Sequence, residues 1–77
     1  MEYYNRIRAL REDHDLTQKD IATLLKTTQS YYAQYENGHR GMPITHLKSL
    51  CEYYKVSADY ILGLPAGLPY PQRKRII

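Results

Sequence analysis

Residues 17–38 read Thr17-Gln18-Lys19-Asp20-Ile21-Ala22-Thr23-Leu24-Leu25-Lys26-Thr27-Thr28-Gln29-Ser30-Tyr31-Tyr32-Ala33-Gln34-Tyr35-Glu36-Asn37-Gly38, and this stretch decides the fold. Thr17 followed three residues later by Asp20 is an approximate capping box, with Asp in place of Glu. Ile21, Leu24 and Leu25 then recur at helical spacing, so a helix is predicted over 18–25. Thr28 can cap another helix over 29–36, whose inward face is Tyr32 and Tyr35. Asn37-Gly38 stops it with residues that tolerate left-handed backbone. Only Lys26-Thr27-Thr28 lie between the two helices, a connection that forces them into direct contact at a steep angle.

Working outward, residues 3–13 lack Gly and Pro and place Ile7, Leu10 and Arg11 on one helical face, which predicts a helix before the pair. His39 to Pro43 is a loop punctuated by Gly41 and Pro43. Leu47, Leu50, Cys51 and Tyr54 mark a fourth amphipathic helix over 44–54, and Ser57 caps a short fifth that ends near Leu62-Gly63. Five helices fill 62 residues, with no strand pattern or internal repeat, so the fold is all-α. Beyond Gly63, Pro65, Gly67, Pro69 and Pro71 cannot propagate a helix. The chain therefore divides into a folded domain over 1–64 and a Pro-rich basic tail over 65–77, expected to be extended and mobile.

With 77 residues, one domain is the ceiling, and a domain this size buries only roughly 60% of its unfolded surface. One cysteine gives no disulfide framework, and a lone thiol without a secretory signal points to a reducing cytoplasm. No apolar run approaches a membrane span. The net charge of +3 is misleading as a whole, because Arg73-Lys74-Arg75 hold all of the surplus: the other eight basic residues balance the eight acidic ones. Charge alone is thus a weak pointer to nucleic acid, and the pattern must carry the argument.

The pattern is a helix-turn-helix, a pair whose second helix enters the DNA major groove. On the predicted 29–36 helix, Gln29 with Ala33, and Ser30 with Gln34 and Asn37, fall opposite the tyrosine face. That outer face is short, uncharged and amide-rich. Glutamine can pair bidentately with an adenine edge and serine serves any base, whereas a merely solvated helix would more usually carry Lys and Glu there. Thr17 and Gln18 open a helix whose free N–H groups favour an anion, and Lys19, Lys26 and Arg40 flank the groove face.

These residues resemble the Xre/Cro-type helix-turn-helix proteins, which include the phage repressors. The resemblance runs from Tyr3 or Tyr4 to Leu64. It is most specific at Leu16-Thr17-Gln18-Lys19-Asp20-Ile21-Ala22, at Thr27-Thr28-Gln29-Ser30 through Tyr35-Glu36-Asn37-Gly38, and at Val56-Ser57-Ala58-Asp59-Tyr60-Ile61-Leu62-Gly63, with Pro43, Leu47 and Leu50 between. It implies a compact five-helix, phage-repressor-like DNA-binding domain. Gln29, Ser30 and Gln34, with Thr28 and Tyr31 beside them, would face base edges. Thr17, Gln18, Lys19, Asn37, His39 and Arg40 would hold phosphates. It also implies that Arg11 pairs with Glu36, a semi-buried bond that orients the recognition helix. Two positions depart from the family pattern. Lys26 stands where the turn usually has glycine, at a cost of order 1 kcal/mol if its φ is positive, and Tyr32 stands where a branched aliphatic usually enters the core and needs a hydroxyl partner.

The expected partner is double-stranded DNA, bound as a homodimer on a palindromic operator with half-sites about one turn apart, and the expected role is transcriptional repression. An antitoxin of the same fold would instead take a protein partner, for which Tyr53, Tyr60, Leu64, Leu68 and Ile76-Ile77 are the candidate apolar surface. No enzyme is expected: there is no phosphate-binding Gly-rich loop, nucleophile elbow or apolar carboxylate pair. No cofactor is implied, and His14, His39, His46 and Cys51 show no metal-ligand spacing. Cys51 reads as a packed thiol, most of the nine tyrosines as core, and Tyr31 as the tyrosine expected to touch DNA. Arg73, Lys74 and Arg75 either add phosphate affinity without reading bases or belong to an unattached tail.

Overall fold

A computed structural model describes residues 2–65. The tail expectations for Leu68, Arg73 to Arg75 and Ile76-Ile77 lie outside the described residues. Among those described, five helices succeed one another: α1 (Tyr3–Asp13), α2 (Gln18–Leu24), α3 (Gln29–Glu36), α4 (Ile44–Tyr54) and α5 (Ala58–Leu62). The elements match the sequence expectation, with the predicted 18–25 helix ending one residue earlier, where Leu25 is the C-cap.

Short helices need their ends satisfied, and the caps supply this. Thr17 and Asp20 form a reciprocal capping box, with the Asp20 amide donating to Thr17 Oγ1 at 3.0 Å and the Thr17 amide donating to Asp20 Oδ2 at 2.9 Å. Those bonds hold the Asp20 carboxyl below its ordinary pKa. Thr28 Oγ1 accepts from the Tyr31 amide at 3.1 Å, and Ser57 Oγ from the Tyr60 amide at 3.2 Å.

The C-termini share one device. After α1, α2 and α3, the chain turns through a left-handed residue, Asp15, Lys26 and Gly38 respectively. Paired return bonds close each turn: Lys26 N to Thr23 O and Thr27 N to Ala22 O after α2, Gly38 N to Tyr35 O and His39 N to Gln34 O after α3. Lys55 and Gly63 turn left-handed at the ends of α4 and α5. The tight connection of α2 to α3 is therefore a helix stop and a helix cap in immediate succession, and Lys26, in the position where the family usually has glycine, takes a φ of 58°.

Ile7, Leu10, Ile21, Ala22, Leu25, Tyr32, Tyr35, Leu50, Tyr54 and Ile61 form one buried cluster drawn from every helix and the α2 cap. α2 packs chiefly on α3, and α1 lies against both α3 and α5. Arg6 of α1 stacks over the Tyr60 ring of α5 at 5.1 Å. The Tyr3 hydroxyl accepts from the Met42 amide at 3.3 Å, tying the α3–α4 loop to α1. No helix among the described residues is long and apolar enough to cross a membrane.

Lys26 and Lys55 hold a backbone that disfavours a Cβ, so Lys26→Gly and Lys55→Gly should each raise stability by up to about 1 kcal/mol in urea denaturation. Gly38→Ala should do the reverse. Its φ is 75°, and a Cβ there would stand 2.7 Å from the Tyr4 ring.

Candidate nucleic-acid interface

One face of α3 belongs to the core and the other to solvent. Tyr32 and Tyr35 are buried, and Glu36, also on α3, is 3% exposed, the one buried charged residue among those described. A carboxylate so placed must be compensated. Arg11 of α1 donates to it through Nε at 2.7 Å and Nη2 at 3.0 Å, a bidentate clamp, while Arg11 Nη1 donates to the Leu16 carbonyl at 2.9 Å. Gln18 of α2 adds a third bond, Nε2 to Glu36 Oε1 at 3.1 Å. Burial alone would raise the Glu36 pKa, but the hydrogen bonds from Arg11 and Gln18 and the nearby Tyr32 phenol outweigh it and hold the carboxyl below its ordinary value. The bond to Glu36 raises Arg11 in turn.

The Tyr32 hydroxyl lies beside Glu36 without reaching the geometry of a full hydrogen bond, and Tyr54 OH is likewise buried and unpartnered. Burial first, then the polar approach to the Glu36 carboxylate and its charge, push Tyr32 far above the ordinary phenol range, while burial and the Glu36 charge push Tyr54 up to about 12. The hydroxyl partner that Tyr32 was expected to need is thus only approached.

On the other face of α3, Gln29, Ser30 and Tyr31 are exposed and Gln34 is half-buried, with Thr28 exposed at the cap. The base-reading candidates therefore share one short helix and its cap. Of the phosphate candidates, Thr17 and Lys19 are exposed at the start of α2, and Asn37 and His39 at the end of α3. Two carry interactions that sequence reasoning missed. Gln18 is tied to Glu36, and Arg40 lies back over α3, its guanidinium 4.6 Å above the Tyr31 ring and its Nε donating to Gln34 Oε1 at 3.1 Å. Neither has a signal in the local pattern, because each depends on how a turn returns the chain.

Of the apolar surface candidates, Tyr53, Tyr60 and Leu64 are exposed to nearly half their area. The structure adds Leu62 and Ile44, the latter 81% exposed at the start of α4. Ile44 lines a groove with Tyr3, Met42, Leu47 and Leu62. Cys51 is partly buried, and burial raises its thiol pKa, in keeping with a packed thiol.

A family model described as a helix-turn-helix domain matches residues 4–66. The uncharacterized HTH-type transcriptional regulator YobD of Bacillus subtilis (strain 168) is 40% identical over 62 residues, covering 80% of this chain and 55% of that protein. Antitoxin PezA of Streptococcus pneumoniae serotype 4 is 32% identical over 57 residues, covering 74% of this chain and 36% of that protein. The chain thus spans about half of the first relative's length and about a third of the second's. The crystal structure of a transcriptional regulator from Listeria innocua superposes with a TM-score of 0.77 at 25% identity, over 99% of this chain and 65% of that one.

Removing one partner of the clamp strands the other charge, so Arg11→Met and Glu36→Gln should each destabilise by up to about 3 kcal/mol, and the joint replacement by much less than their sum. Additive losses in a double-mutant denaturation cycle would exclude the coupling. Because folding lowers the Glu36 pKa, its contribution is complete above the ordinary value of 4.5 and is lost as pH falls through the lower folded-state value. Acid titration of stability should be flatter in that region for Glu36→Gln than for the unaltered protein.

Proposed function

The chain belongs to the helix-turn-helix family, and on that premise we propose that it binds double-stranded DNA sequence-specifically as a transcriptional regulator, with α3 in the major groove. The observation that carries this is the outer face of α3, where Gln29, Ser30 and Gln34 stand uncharged and hydrogen-bonding on a helix held from behind by a buried clamp. Eight residues of helix extend about 12 Å, the reach of one half-site. A homodimer on a palindromic operator, acting as a repressor in the cytoplasm, follows as the simplest working form. The protein in this reading is a binding module and not an enzyme. It needs no cofactor, since amides, hydroxyls and backbone N–H groups perform the recognition.

Similarity to antitoxin PezA, together with the exposed Ile44, Leu62 and Leu64, supports a second reading in which the same domain also holds a protein partner. Co-expression with the product of the adjacent gene separates the two: rescue of growth and a stable complex would favour the antitoxin.

Selection of bound duplexes from a random library should return one enriched motif, and Gln29→Ala should relax it at particular base pairs by about 1–3 kcal/mol while the fold survives. Equal losses on cognate and random duplex, with the motif unchanged, would reject α3 as the reader. We further propose that Arg73, Lys74 and Arg75 contact phosphates. Truncation after Leu64 should then lower the slope of log K against log salt by about 2.7, with the preferred sequence unchanged. An unaltered slope would reject that role.

A further inference from the structure

Asn37 ends α3 in helical backbone, and Gly38 then takes a φ of 75°. That single left-handed residue turns the chain back on itself, and the His39 and Arg40 amides both donate to the Gln34 carbonyl, at 2.9 and 3.3 Å. The loop is thereby fixed over the last turn of the recognition helix. The Arg40 side chain follows the same path. Tyr31 and Gln34 are neighbours at i, i+3 on one helical face, and the guanidinium engages both, stacked 4.6 Å over the Tyr31 ring and donating from Nε to Gln34 Oε1 at 3.1 Å.

A guanidinium is donor-only, so the only atom of the Gln34 amide that can face it is the oxygen. The contact therefore fixes which way the amide points: Oε1 toward Arg40, Nε2 with its two hydrogens outward. The ring of Tyr31 holds the guanidinium carbon 4.6 Å from its centroid, which gives the cation a second point of attachment on α3. The Nη1 and Nη2 hydrogens take no part in the bond to Gln34. Two side chains that read separately in sequence thus make one surface, rich in donors and carrying a full positive charge.

We infer that Arg40 is a specificity-determining residue, and that with Gln34 it forms a composite reader whose matching base edge is guanine. The inference rests on the proposal that α3 reads the major groove. A free glutamine pairs with adenine by accepting from N6 and donating to N7. Here one lone pair of Oε1 is already taken, and the adenine amino group would approach an oxygen flanked by cationic donors. Guanine presents N7 and O6, two acceptors, to that same edge. A phosphate contact would ask only for the charge of Arg40, not for a planar fork.

The test is duplex selection with the full chain and four variants, Gln29→Ala, Gln34→Ala, Arg40→Ala and Arg40→Lys, after circular dichroism has checked that each folds. Gln34→Ala identifies the base pair that Gln34 reads. At that pair the unaltered protein should prefer guanine, and both Arg40 variants should lose the preference by roughly 5- to 150-fold, with adenine rising in its place as Gln34 is released. Lysine should fail to rescue, because it lacks the planar fork. Any base other than guanine at that pair in the unaltered protein overturns the inference. So does uniform weakening by Arg40→Ala on every duplex, with a salt slope lower by about 0.9 and rescue by lysine, which is the signature of a phosphate contact. If Gln29→Ala alters the motif while the Arg40 variants leave it unchanged, the composite reader falls and the reading of α3 stands. If neither Gln29→Ala nor Gln34→Ala alters the motif, both fall together.

Discussion

The buried carboxylate of Glu36 is the constraint around which the domain is arranged. It sits on the recognition helix but faces inward, where a lone charge would be intolerable, and its compensation comes from two other helices: Arg11 from α1 and Gln18 from α2. A bidentate guanidinium fixes distance and rotation together, which a point charge on a flexible stem would not. The three helices are consequently held at one mutual orientation by polar bonds with directions, laid over an apolar cluster that has none. Replacing such a network by hydrophobic residues often leaves a protein as stable or more so. Its value here is geometric, since bonds from α1 and α2 to one carboxylate resist rolling of α3 about its axis.

The same network takes charge away from the surface of a domain whose charges already balance. Arg11 is spent internally, neutralised by Glu36 and 12% exposed at its side chain. Arg8 is matched by Glu12 on the same face of α1, 3.4 Å away. The exposed cations that flank α2 and α3 are Lys19, Lys26 and Arg40, beside the uncharged amides and hydroxyls on the outer face of α3.

Nearly all of the fold was legible because periodicity and capping residues agreed. Thr17, Thr28 and Ser57 each stand one residue before a helix and each accepts the expected amide. The left-handed stops were legible only in part. Gly38 and Gly63 announce themselves, and the resemblance marked Lys26 as standing where glycine is usual, but Asp15 and Lys55 look like ordinary solvated residues until the return bonds around them are seen. The site followed the same division. Which residues face outward from α3 is a matter of 3.6-residue period and was readable, and so was the Arg11–Glu36 bond once the resemblance was recognised. Gln18 on Glu36 and Arg40 on Gln34 join elements 18 and 6 residues apart, through helix crossings and a turn that no local pattern encodes.

Those two missed contacts divide the glutamines of the motif by function. Gln18 gives its amide hydrogen to an anion held in the core, which makes it part of the frame that sets the angle of α3. Gln34 gives its oxygen to a cation on the surface, which makes it part of what α3 displays. Both begin from the same neutral side chain, three rotatable bonds long, and the difference is imposed by the charge that each one meets. An amide beside a carboxylate must turn its nitrogen inward, and an amide beside a guanidinium must turn its nitrogen outward. The sign of the nearest charge, more than the identity of the residue, therefore decides which hydrogen-bonding edge a glutamine leaves free.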